Sequence, residues 1–225
     1  MYKYHYEIAI ERESFTFDVE LDEALNLIPL KEAELSRPSW TALSYRQCHH
    51  CPISNAIDDV CPVAAAISDV IEQFDGSLSV EPSVCRVVTQ EREYLGEVPL
   101  QQAIYSLLGL IMPTSGCPHL AFLKPMARYH LPFATSDETI IRSTSMYLLA
   151  QFFGEGEGDY GMEHITDLFQ AVSDVNRGIV ARLRSANVDG DADKNALITL
   201  DSFAQILSLK NKRGIESVAP LFREL

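Results

Sequence analysis

Four cysteines carry the most chemistry in this sequence: Cys48, Cys51, Cys61 and Cys117. The first two frame Cys48-His49-His50-Cys51, a C-x-x-C that places two soft sulfur ligands on one turn and can grip a tetrahedral ion. Three of the four precede a proline: Pro52, Pro62 and Pro118. Proline favours the first position of a helix, so the residue before it falls at the N-cap. There the positive end of the helix lowers a thiol pKa and favours thiolate, the form that binds metal. Four thiolates around zinc would make a closed structural site. His49, His50, His119 and His130 are spare imidazoles, any of which could replace a cysteine. A ligand position left to water would turn the same site catalytic. An iron–sulfur cluster also suits four cysteines, but the spacing gives it less support than zinc. Redox or nucleophilic thiols, and unconnected buried cysteines, stand as the other readings. Cys85, in a valine-rich stretch, reads as core packing. A thioredoxin-type motif needs its C-x-x-C between strand and helix, and haem attachment needs histidine where Pro52 stands.

A second dense stretch runs from Lys124 to Phe133. In it, Arg128 could clamp a carboxylate or phosphate, and His130 could serve as acid, base or ligand. With Cys117 and His119 they form the alternative to a structural site: an open metal or thiol centre for hydrolysis or redox work. Against this stands the plain reading, an ion-paired arginine and a backbone-bonded histidine. Asp189-Gly190-Asp191-Ala192-Asp193 resembles the start of a calcium loop, but Lys194 and Leu200 occupy the positions that need glycine and glutamate. An acidic turn fits better. No phosphate-binding glycine loop or nucleophile elbow is present, so nothing supports a nucleotide cofactor.

The elements that must position these residues follow from periodicity. Tyr2, Tyr4, Tyr6, Ile8 and Ile10 alternate, as do Phe15, Phe17, Val19 and Leu21. They predict a β-hairpin with one buried face. Ile57, Val60, Ala64, Ile67, Ile71 and Phe74 recur at helical steps across 53–74, with a fresh helix starting at Pro62 and a stop at Gly76. Residues 78–89 read as a strand that joins the hairpin, with Pro82 at an edge or at the strand's start. Pro99 opens an apolar helix to about Met112. Prolines 118, 125 and 132 predict irregular chain or short turns over 113–135. Thr135 and Glu138 form a capping box for a helix to Phe153. Glu163 to Ser185 is amphipathic, 187–193 is an acidic turn, and the C-terminal part reads as helical. The expected fold is α+β: a mostly helical single domain, 1–225, with a small antiparallel sheet made of the hairpin and the 78–89 strand. The hairpin region, 1–35, packs on the helical body.

Composition limits the partners. The 225 residues are 47% hydrophobic, with a formal net charge of −14. So acidic a surface repels nucleic acid and anionic membranes. No apolar run approaches the ~20 residues that span a bilayer. The first residues lack the apolar core of a secretory signal, so the expected location is the cytoplasm, a reducing compartment that favours metal or thiol chemistry over disulfides. The apolar 100–112 helix is core or, in part, a face for a protein partner or a second copy.

Several motifs together carry a resemblance. They are Cys48-His49-His50-Cys51-Pro52, Cys61-Pro62-Val63-Ala64, Thr89-Gln90-Glu91-Arg92-Glu93-Tyr94, Ser115-Gly116-Cys117-Pro118, Pro125-Met126-Ala127-Arg128-Tyr129-His130-Leu131-Pro132-Phe133-Ala134 and Tyr147-Leu148-Leu149. With them the chain resembles an uncharacterised family of bacterial proteins of similar length, a domain of unknown function. The resemblance spans most of the chain. It implies bacterial origin and a shared fold, and carries no reaction, catalytic role or metal assignment.

Overall fold

A computed structural model describes residues 1–29, 37–54 and 59–186, together with 194, 195, 197, 198 and 218–222. The end of the 1–35 hairpin region, the acidic turn at 187–193 and most of the C-terminal helical reading lie outside the described residues. The chain runs β1 (Tyr2–Ile10), β2 (Glu13–Leu21), α1 (Pro62–Gln73), β3 (Pro82–Thr89), β4 (Glu93–Pro99), α2 (Leu100–Thr114), α3 (Lys124–Arg128), α4 (Ser136–Phe153) and α5 (Ile165–Ser185). This is the expected α+β fold, a four-stranded antiparallel sheet with helices.

The strands lie in the order β2-β1-β3-β4. The alternation in β1 and β2 has the predicted effect. Tyr4, Tyr6, Ile8 and Ile10 are buried beside Phe15, Phe17, Val19 and Leu21. The outward face carries cross-strand charges instead: Lys3 pairs with Glu20, His5 with Asp18, and Arg86 with both Glu7 and Glu93. Pro82 is the first residue of β3, where its missing N–H costs nothing. Residues 78–81 precede the strand as a turn, and β4 extends the sheet beyond the strands that periodicity predicts. Gly96 makes room on β4 for the Phe133 ring, whose nearest atom would sit 2.9 Å from an added Cβ.

Proline punctuation sets the helices. Pro62 is the first residue of α1, with Cys61 at its N-cap, whereas Pro99 is itself the N-cap of α2. The helical reading upstream of Pro62 fails: Ile53, Ser54 and Asp59 are irregular, Val60 forms a strand-like bridge with Ala42, and 55–58 lie outside the described residues. Thr135 and Glu138 form the reciprocal capping box. α2 is buried along most of its length and forms the central rod of the core. Among the described residues, no helix is long and apolar enough to cross a membrane.

Candidate metal and thiol centre

Backbone pairing brings the C-x-x-C loop to the start of α1. Leu43 N–H donates to Asp59 O at 2.8 Å and Cys61 N–H to Thr41 O at 2.9 Å. The 41–43 and 59–61 segments therefore run side by side, and Cys61 lies at the base of the loop. The loop itself closes as a turn, with Cys51 N–H donating to Cys48 O at 3.0 Å. The turn after α2, where Gly116 takes a positive φ of 97°, lies on the first turn of α1: a Cβ on Gly116 would stand 3.9 Å from Pro62 Cβ. This sets Cys117 beside Cys61. On the other side, α5 passes so close that a Cβ on Gly178 would fall 2.7 Å from Cys48 Sγ.

Ionised, these thiols would repel one another. Burial pushes the Cys48 thiol up, and repulsion from Cys61 and Cys51 adds to that, while the Arg182 guanidinium opposes it. Burial raises Cys117 to about 11, against the pull of the His119 and Leu120 backbone N–H groups on its sulfur; Cys61 and Cys48 push it further up. This corrects the expectation of helix-start thiolates. Cys61 does cap α1, but neither Cys51-Pro52 nor Cys117-Pro118 starts a helix, and at Cys117 desolvation outweighs the N–H groups it collects. Cys85 is buried in β3, where burial alone raises its thiol to about 12, as befits a core residue.

Imidazoles flank the loop. The His119 Nε2–H donates to His50 O at 2.8 Å, and the two rings lie tilted by 34° with centroids 4.2 Å apart. His50 donates its Nε2–H to Ala171 O at 3.3 Å, which leaves Nδ1 as the ring's lone-pair atom. That Nδ1 is buried and has no partner. Burial, then the charge of His119, holds the His50 pKa below its ordinary value. A ring oriented by one carbonyl with its other nitrogen free is the arrangement of a metal-bound histidine. Among the described residues, the ligand atoms of His49, His50 and Asp174 lie within 4.8 Å of one another. The cysteine sulfurs form no set that tight. Asp174, on α5, also receives Arg177 and Gln170.

The remaining predicted residues sit elsewhere. Arg128 pairs with Glu91 at 3.0 Å and lies 4.2 Å over the Tyr2 ring. His130 is hydrogen-bonded to the Tyr6 hydroxyl, and burial, then the charge of Arg142, pushes its pKa down to about 3. The structure thus places Cys48 near Cys51 and Cys61, and Cys117 near Cys61 and Cys48, sets His119 against the loop, and ties Arg128 and His130 to the sheet. Sequence reasoning missed Gly178, Asp174 and Arg182. Arg182 is 1% exposed and donates to Trp40 O at 2.6 Å and Ala42 O at 2.5 Å, pinning the base of the loop to α5. A charged residue on the buried stripe of α5, with Val175 and Ile179, was the available signal.

Fold and site together define an α+β protein that folds a cysteine- and histidine-bearing loop against two helices and a turn. The chain belongs to the family described as domain of unknown function DUF6901, which matches residues 1–223. No curated protein and no solved structure matches it.

Proposed function

We propose that the Cys48–Cys51 loop, with Cys61 and Cys117, is a zinc centre whose role is structural: it locks the loop, the start of α1 and the turn after α2 into one unit that serves a regulatory or interaction protein. What supports it is that Cys48 feels the charges of Cys51 and Cys61, and Cys117 those of Cys61 and Cys48, so thiols from three segments lie near one another, though not yet within one ligand sphere. Crowded thiols repel one another as thiolates, and a divalent cation relieves that repulsion while displacing their protons. The buried Arg182 guanidinium beside Cys48 offsets part of the negative charge that four thiolates would bring. The residues fit zinc by ligand type: soft sulfur, with imidazoles alongside. Zinc would supply cross-linking of these segments, and no reaction step is assigned to it.

A second reading has its own support. His49 is exposed, and it forms with His50 and Asp174 a three-ligand set that would leave positions for water. Such a centre suits metal-assisted hydrolysis.

Elemental analysis of tag-free protein, with cobalt substitution, tests both. The structural reading expects about one zinc per chain, a sulfur-to-cobalt charge-transfer band, loss of both in Cys48→Ser and Cys117→Ser, and a lower melting temperature on chelation. Cobalt uptake without that band, lost in Asp174→Ala, selects the second reading. Protein that neither carries nor takes up metal refutes both.

A further inference from the structure

A cavity of about 120 Å³ lies between α2, α4, α5 and the 120–134 segment. Its apolar walls include Leu108, Met112, Leu123, Met126, Phe169 and Val172. An apolar cavity of about 150 Å³ is known to accept a benzene-sized guest, so this one holds a single small ring or a short chain.

Two polar groups line it, a half-buried arginine and a buried asparagine. Arg142 lines the cavity, and its Nη2 donates to Met126 O at 3.0 Å and Tyr129 O at 2.6 Å. Both acceptors are neutral. Among the described residues, no carboxylate forms an ion pair with it. Glu138, one turn earlier on α4, spends its carboxylate on the backbone N–H and hydroxyl of Thr135. Desolvation accordingly disfavours the Arg142 charge. Asn176 also lines the cavity and is 2% exposed. A guanidinium partly withdrawn from water, with only neutral acceptors, gains from an anion brought beside it. His130, the other ionisable ring in the wall, is held neutral and does not compete for an anion.

We propose that this cavity binds a small monocarboxylate with a compact apolar body, its carboxylate paired with Arg142 and its second polar contact supplied by Asn176. Arginine is suited to this because its planar fork meets a carboxylate bidentately. The apolar walls select against phosphate, sulfate and multiply charged acids, which would leave charge against Leu108 and Phe169. The cavity is separate from the cysteine loop, so the inference stands or falls apart from the zinc reading.

Benzoate is the probe, and benzamide is its neutral, nearly isosteric control. Calorimetric titration of the full chain should show one benzoate site and at least a ten-fold weaker response to benzamide. Gly109 lines the cavity from mid-α2, and a Cβ there meets nothing within 4 Å. Gly109→Leu therefore fills the space while replacing a helix-weakening residue, and should abolish benzoate binding without lowering the melting temperature. Arg142→Gln should bring benzoate down to the level of benzamide. No benzoate binding at millimolar concentration, equal binding of the two probes, or benzoate binding unchanged in Gly109→Leu would each overturn the proposal.

Discussion

Gly178 offers a sharp test of how α5 meets the cysteine loop. Replacing a mid-helix glycine by alanine ordinarily stabilises a helix by about 1 kcal/mol. Here the added Cβ would stand 2.7 Å from Cys48 Sγ, a separation that forces the sulfur aside. Overpacking of this kind costs about 1–3 kcal/mol, so the clash should exceed the helix gain by about 1 kcal/mol. The next nearest atom, Cys48 Cβ, lies at an ordinary 3.9 Å. Cys48→Ala therefore removes the whole obstacle, and in that background Gly178→Ala should stabilise by about 1 kcal/mol. The sign reverses, with a coupling energy of about 2 kcal/mol between the two positions. For a chain of this size, about 1 kcal/mol moves the melting temperature by about 2–4 °C. Urea denaturation of the four proteins of this cycle, in chelator so that metal does not contribute, reads the effect directly. If Gly178→Ala changes stability by the same amount and sign in both backgrounds, the contact between α5 and Cys48 is not as described.

Two other predictions concern buried polar groups. His130 has a pKa of about 3 in the folded chain, below its ordinary value, so the unfolded chain takes up a proton first as pH falls. Its contribution to stability is complete above about pH 6.5 and drains away toward pH 3, by about 1.4 kcal/mol per pH unit in between. Denaturation at pH 6 and pH 5 should show His130→Gln losing about 1.4 kcal/mol less than the native chain over that interval; equal losses would mean that His130 is not held neutral. Arg182→Met strands the carbonyls of Trp40 and Ala42 and should cost about 2–4 kcal/mol in urea denaturation, whereas a change under about 0.5 kcal/mol, the range of surface substitutions, would show that the guanidinium does not pin the loop.

What the sequence disclosed follows from which signals are local. The hairpin is legible because period-two alternation and one buried face are the same fact. Pro62, Pro99 and the Thr135–Glu138 box mark helix starts through chemistry contained within a few residues. β4 is harder to see: it alternates, but Gly96 and Pro99 weaken its pattern and only Tyr94 and Val98 face inward as sizeable apolar groups. The stretch before Pro62 misleads because Val60 keeps helical spacing while its backbone pairs with Ala42. At the candidate site, the thiols are legible as residue types, and their meeting depends on the 41–43 and 59–61 pairing, which no local pattern announces. Thiol acidity is misread because Pro118 opens a turn instead of a helix, and because burial, a tertiary property, outweighs the N–H groups at Cys117. Asp174 meets His49 and His50 across more than a hundred residues of chain, a coincidence only the fold creates.

The charged outer face of the sheet bears on how copies of this chain meet. The sheet ends in β2 on one side and β4 on the other. A strand with free backbone groups is an invitation for another molecule to add its own. Here the β2 rim carries Asp18 and Glu20, and the β4 rim carries Glu93 and Glu97. Part of the β2 rim is already taken by the returning chain, where Ile28 N–H donates to Glu20 O at 2.8 Å. Bringing two molecules together rim to rim would set carboxylate against carboxylate on chains that each carry a formal charge of −14. Among the described residues, the acidity of this protein thus weighs against edge-to-edge association of its sheet, least where Lys3, His5 and Arg86 already pair the rim carboxylates.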